Sequence, residues 1–156
     1  MKWWRLLSLP VFLLLVGSCV ATRMTSPPLS GSPNTPLPPC PASPNCVCSE
    51  DPDPGHRVEP LSFSGPAAEA MARLRTVIRA LPRARIVSDH ADSLQVEFRT
   101  PLLRFVDDVE FRLHPGAQVI QVRSASRIGY SDLGVNRRRV EQIREAFEKA
   151  SKLKQP

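Results

Sequence analysis

An α+β domain is the fold this sequence predicts: a four-stranded antiparallel meander with an N-terminal and a C-terminal helix on one face (α-β-β-β-β-α). Three observations carry it. Apolar residues recur at helical spacing at both ends of the region after Ser64, four short segments of two-residue period lie between them, and the segments are joined by turns short enough for hairpins. Composition sets the scale. The 156 residues are 42% hydrophobic and 23% charged, twelve of the 17 prolines fall between Pro27 and Pro66, and all four cysteines lie at or before Cys48. Residues 64–156 must therefore supply the core, which suits one small domain and excludes a large multidomain enzyme, a polytopic membrane protein and a coiled coil.

The first helix runs from Pro66 to Leu81, with Ala67, Ala70, Met71, Leu74, Val77, Ile78 and Leu81 as its stripe. Ser64 is the expected cap, Pro66 stands near the first turn where a missing N–H costs nothing, and Pro82 ends the helix. Arg85 to Asp89 is a short strand, followed by a turn at His90-Ala91-Asp92. Leu94, Val96 and Phe98 alternate with Gln95, Glu97 and Arg99, and Phe105, Asp107, Val109, Phe111 and Leu113 share one face of the third strand. His114-Pro115-Gly116-Ala117 turns the chain into a fourth strand with Ile120 and Val122 inward, ending near Ser126. The final helix carries Val140, Ile143, Phe147 and Ala150. Packing both helices on one face leaves Gln95, Glu97, Asp108, Glu110, Gln121 and Arg123 on the other, either solvated or facing a partner.

The chain start reads as an export signal. Lys2 and Arg5 precede an apolar run from Leu6 to Val16, too short to span a bilayer, and small residues lead to a cysteine in Val16-Gly17-Ser18-Cys19. This resembles the lipobox of bacterial lipoproteins, whose cysteine is acylated and becomes the first residue. The predicted organisation is a signal peptide at 1–18, a Pro/Ser-rich tether at 19–39 anchored through Cys19, a Cys/Pro-rich lead-in at 40–63 and the domain at 64–156. Two or more acyl chains hold a protein stably on a membrane without spanning it. Val20, in place of the aspartate typical of inner-membrane retention, favours the periplasmic face of the outer membrane. Residues 67–156 hold 17 basic and 11 acidic groups, a net +6. In an exported protein such charge points to headgroups, cell-wall carboxylates or phosphates, and nucleic acid is not an expected partner.

Two local rules fail together, and such failures are where function tends to sit. Alternation puts Asp107 on the core side, with Ser124 or Ser126 opposite it across the Pro115–Gly116 turn. Arg137-Arg138-Arg139 opens the last helix, although a helix N-terminus prefers acidic groups. An internal reading pairs Arg139 with Asp107 or Asp132, and Arg123 with Asp108 or Glu110. A binding reading adds an anion held by Arg127, Arg137, Arg139 and the helix-start N–H groups, with Tyr130, Ser131 and Asp132 in a loop bounded by Gly129 and Gly134. A catalytic reading makes Asp107 or Asp132 a base beside a charge-stabilising arginine. No GxSxG, HExxH or phosphate-loop pattern accompanies it, so no catalytic residue, metal or cofactor is assigned.

With Cys19 acylated, three cysteines remain. A Cys40–Cys46 bridge closes a proline-rich loop worth roughly 2 kcal/mol in the chain-entropy model, leaving Cys48 free or pairing between molecules. A zinc site from these three and His56 matches no strong spacing template. His90 and His114 fall in turns and read as solvated.

Four blocks bear a family likeness: Cys40-Pro-Ala-Ser-Pro-Asn-Cys46-Val, His56-x-x-x-Pro60-Leu61, Arg104-Phe-Val-Asp-Asp-Val-Glu-Phe111, and the run from Arg123 through Ser131-Asp-Leu-Gly-Val-Asn to Arg137. In order, they resemble the domain-of-unknown-function 1499 family from about Cys40 to Phe147. The resemblance implies a small exported or lipid-anchored protein and marks Cys40, Cys46, Asp107, Asp108, Arg123, Arg127, Ser131, Asp132, Asn136 and Arg137 as family positions. It implies no activity. Cys48 departs from the pattern, which usually has serine there. The expected function is a non-enzymatic, lipid-anchored envelope module that binds an anionic envelope ligand or an envelope protein through residues 127–139. The alternatives are a small hydrolase or transferase acting on an envelope lipid or polymer, and a structural scaffold.

Overall fold

The computed structural model describes residues 35–153; the signal-like segment, Cys19 and the tether as far as Asn34 lie outside them. The elements are β1 (Cys46–Cys48), β2 (Leu61–Ser62), α1 (Ala67–Ala80), β3 (Ala84–Asp89), β4 (Ser93–Arg99), β5 (Val106–His114), β6 (Val119–Ser126) and α2 (Val135–Lys152), with a 3₁₀ turn at Pro115–Ala117. The sheet runs β1-β6-β5-β4-β3, and β2 also pairs with β6. The expected meander is β3 to β6. The sheet has six strands instead of four because the lead-in supplies β1 and β2, which cover the outer edge of β6. An uncovered edge would leave N–H and C=O groups open to other chains.

Leu94, Val96, Val109, Phe111, Ile120 and Val122 form the inner face of the sheet. Met71, Leu74 and Ile78 of α1 and Val140, Ile143 and Phe147 of α2 close over it in a single core. Each fully buried side chain of this kind contributes about 1.5–3 kcal/mol relative to exposure. Both helices therefore lie on one face, as the 3.6-residue pattern requires.

Three local expectations change. Ser64 does not cap α1; Pro66 takes that position, and its carbonyl accepts the N–H groups of Glu69 and Ala70. Phe105 lies before β5 and is exposed, because Thr100 and Phe105 bond each other across a loop and the ladder starts at Val106. The outer face of the sheet is largely buried rather than solvated: Glu97, Asp108, Glu110 and Arg112 are all covered. Part of that cover is the segment from Thr35 to Asp51. Arg112 donates to the carbonyls of Thr35 and Pro36, the Leu37 N–H to Glu50 and the Cys40 N–H to Asp51.

Candidate functional site

β5, β6 and α2 bring the pattern-breaking residues together at one end of the sheet. Asp107 faces Ser126 in the β5–β6 register, and Ser124 sits one inward step along. The Arg139 guanidinium reaches the Asp107 carboxylate at 2.5 Å, donates to Asn136 Oδ1 at 2.6 Å and lies 4.8 Å from the Phe98 ring centroid. Asn136 is fully buried and joins the parts. Its Oδ1 accepts the Ser124 hydroxyl at 2.6 Å, and its Nδ2 faces the Asn45 carbonyl, Ser126 Oγ and Asp132 Oδ2 at 2.8–3.0 Å. Asn45 in turn donates to the Gly129 carbonyl at 2.6 Å. We call this assembly the latch. It ties the lead-in, β5, β6 and α2 through groups that would each be costly if buried alone.

The arginine-led start of α2 is compensated within the chain. Asp132 accepts the Gly134 N–H at 2.9 Å and the Asn136 N–H at 2.7 Å, placing a carboxylate where the helix dipole favours one. Gly134 allows the turn, with φ 77°. Arg137 donates to the carbonyls of Gly55 and Arg57, both at 2.7 Å, and Arg138 to that of Leu133 at 2.9 Å. The anion pictured on the helix-start N–H groups would thus meet Asp132 there, and Asn136, Arg137 and Arg139 are engaged inside the fold. Tyr130 and Ser131 remain exposed in the loop.

Arg127 works on the outer face. Glu97 and Asp108 are direct cross-strand partners, an arrangement of like charges that is unfavourable alone. Arg127 reaches Asp108 through two nitrogens at 2.8 and 2.7 Å and Glu97 at 2.7 Å. Arg85 adds a further bond to Glu97 at 2.9 Å. Asp108, more than any other group, raises the Arg127 pKa. Glu97 titrates below its ordinary range: burial pushes it up, but the Arg85 and Arg127 bonds outweigh burial. Arg123 pairs with Glu110 at 3.5 Å, one of its two expected partners.

Cys40 and Cys46 are disulfide-bonded. Cys48 is fully buried with a free thiol whose pKa burial pushes up to about 11, so in the folded chain it is closed off from a partner molecule. The bridge removes two ligands of the zinc alternative, and no group of three His, Cys, Asp or Glu among the described residues is placed to hold a metal ion.

Two clefts border the latch. One, of about 330 Å³, lies between the end of α1, β4 and α2, and holds Arg83, Arg99, Arg138 and Arg139 over Leu81 and Phe98. Arg139 is neutralised by Asp107, and Arg99 lies 3.6 Å from Glu97. Among the described residues no carboxylate comes within salt-bridge distance of Arg83 or Arg138. The other cleft, of about 240 Å³, lies between the 100–105 and 127–134 loops, with Phe105, Ile128 and Leu133 in its walls. Sequence reasoning missed Asn45, Glu97, Arg83 and the exposed Leu102 and Leu103. Only the Leu102-Leu103 pair after Pro101, apolar yet outside any periodic segment, gave a signal.

No curated protein and no solved structure matches this chain. No helix among the described residues is long and apolar enough to cross a membrane. Residues 36–147, most of the chain and the whole of the latch and both clefts, match the family described as "Protein of unknown function (DUF1499)", and the protein belongs to that family.

Proposed function

We propose that the protein is an exported, lipid-anchored module of the bacterial cell envelope that holds an anionic envelope ligand, without turnover, in the arginine-lined cleft beside the latch. One observation carries the reading: among the described residues Arg83 and Arg138 have no carboxylate partner, and they stand over an apolar floor in a cleft that already holds two further guanidiniums. Arginine forks suit phosphate and carboxylate groups, and a partly dry wall strengthens such pairing. The export signal and the lipobox-like Val16 to Cys19 support the address.

The cleft is tested by titrating the protein with inorganic phosphate and glycerol phosphate by calorimetry. Saturable binding that falls at least tenfold in Arg83→Gln plus Arg138→Gln, with the melting temperature unchanged, is the expected result. No binding, or binding indifferent to both arginines, would refute it. Labelled palmitate should enter the wild-type chain in cells and not Cys19→Ser. The engagement of Arg127, Arg137, Arg139 and Asn136 inside the fold favours a second reading, a structural scaffold. On that reading the cleft double variant keeps full function in cells.

A further inference from the structure

Among the described residues eight large hydrophobic side chains are exposed, and six of them, Leu102, Leu103, Phe105, Ile128, Tyr130 and Leu133, belong to two neighbouring loops. The loops are joined where the Arg127 N–H bonds the Val106 carbonyl, and they wall the smaller cleft from both sides. Leu102 is 89% exposed and Leu133 83%, so neither side chain serves the core. Arg83, Arg99, Arg104 and Arg138 lie on or next to this end of the sheet. The only carboxylate in the two loops is Asp132, and the start of α2 occupies it.

We propose that these two loops form a docking surface for an anionic bilayer leaflet, with the leucines and Phe105 entering the acyl boundary and the arginines meeting lipid phosphates. The inference rests on the cleft reading for the charge it places at the surface, while the apolar contribution comes from the loops alone. Apolar tips bordered by arginine match the two requirements of interfacial binding: buried apolar area and attraction to anionic headgroups. A second copy of this chain fits poorly. Its matching surface would bring the same arginines face to face, and like charges across an interface oppose association. The surface also lies at the sheet end opposite Arg112, which binds the Thr35 carbonyl.

The test uses residues 20–156, which include every described element and lack Cys19, so that no acyl chain contributes. This chain has no tryptophan, because Trp3 and Trp4 precede it, and Leu103→Trp therefore adds a unique reporter. Vesicles of phosphatidylcholine with and without 30% phosphatidylglycerol are titrated into the protein. Three results are expected: binding to the anionic vesicles, a blue-shifted emission quenched by brominated acyl chains, and an affinity at least tenfold lower in Leu102→Ser plus Leu133→Ser, which leaves the charge unchanged. Anionic vesicle binding with no shift and no dependence on the leucines would overturn the proposal, as mere surface adsorption. Glycerol phosphate binding without vesicle binding would also overturn it, while leaving the cleft reading intact. So would a concentration-dependent dimer abolished by the same two serines. Loss of glycerol phosphate binding in Arg83→Gln plus Arg138→Gln, with the leucine-dependent shift retained, would keep the docking surface.

Discussion

Removing one half of the Asp107–Arg139 pair should damage the fold far more than removing both. The side chains are 4% and 10% exposed, and their 2.5 Å contact is the charge neutralisation at the centre of the latch. In Asp107→Ala the guanidinium stays buried, with only Asn136, Ser124 and the Phe98 ring as company. Stranding one member of a buried pair costs about 3–5 kcal/mol. With a urea slope of about 2 kcal/mol per molar, the unfolding midpoint should fall by about 1.5–2.5 M. Asp107→Leu plus Arg139→Met removes both charges and refills the space with apolar atoms, so it should recover at least half of that loss. Its shortfall should come from the Asn136 and Ser124 groups that lose Arg139. Urea melts of wild type, Asp107→Leu, Arg139→Met and the double form the required cycle. A cost below about 1 kcal/mol for Asp107→Ala, or a double variant as unstable as the sum of the singles, would refute the claim that this pair is a buried structural latch.

Asn136→Ala should cost about 2–4 kcal/mol by urea melt, because it leaves several buried donors and acceptors unsatisfied. Cys48 should resist a thiol reagent at pH 8 in the native protein and react fully after unfolding, since it is buried with its pKa raised to about 11. Reduction of Cys40–Cys46 should lower stability by about 2 kcal/mol, the closure entropy of a six-residue separation. Glu97 and Asp51 both titrate below their ordinary values of 4.5 and 3.8. Burial opposes both shifts; the Arg85 and Arg127 bonds overcome it for Glu97, and the N–H groups of Cys40 and Asp53 for Asp51. Depressed carboxylates stabilise fully above their unfolded values and lose that contribution as pH falls through the folded ones. Stability should thus be level down to about pH 4.5 and fall below it, less steeply in Glu97→Gln.

Periodicity exposed α1, α2 and the β3 to β6 meander because each is long enough to repeat its burial pattern. The same alternation puts Ser124 or Ser126 opposite Asp107 and Asp108 or Glu110 beside Arg123, and the register of the folded sheet selects Ser126 and Glu110. β1 and β2, of three and two residues, are too short to show any period. The cover over the outer face rests on Leu37, a lone apolar residue among prolines, and on main-chain carbonyls that carry no sequence signature. In the sequence alone Arg127 reads as a ligand contact because its partners come from two other strands, and only the β4–β5 register places Glu97 beside Asp108. Asn45 and Asn136 meet across 91 positions, a distance no local pattern spans.

The path from Thr35 to β1 determines how the domain responds to mechanical load. Tension on the N-terminal chain arrives first at the Arg112 and Glu50 hydrogen bonds, which peel one at a time. It then meets the sulfur bridge, which carries force from Cys40 straight to Cys46 and on to the main-chain bonds between β1 and β6. Asn45 sits inside that covalent ring, so a pull on the chain before Cys40 bypasses the residue that fastens the lead-in to α2.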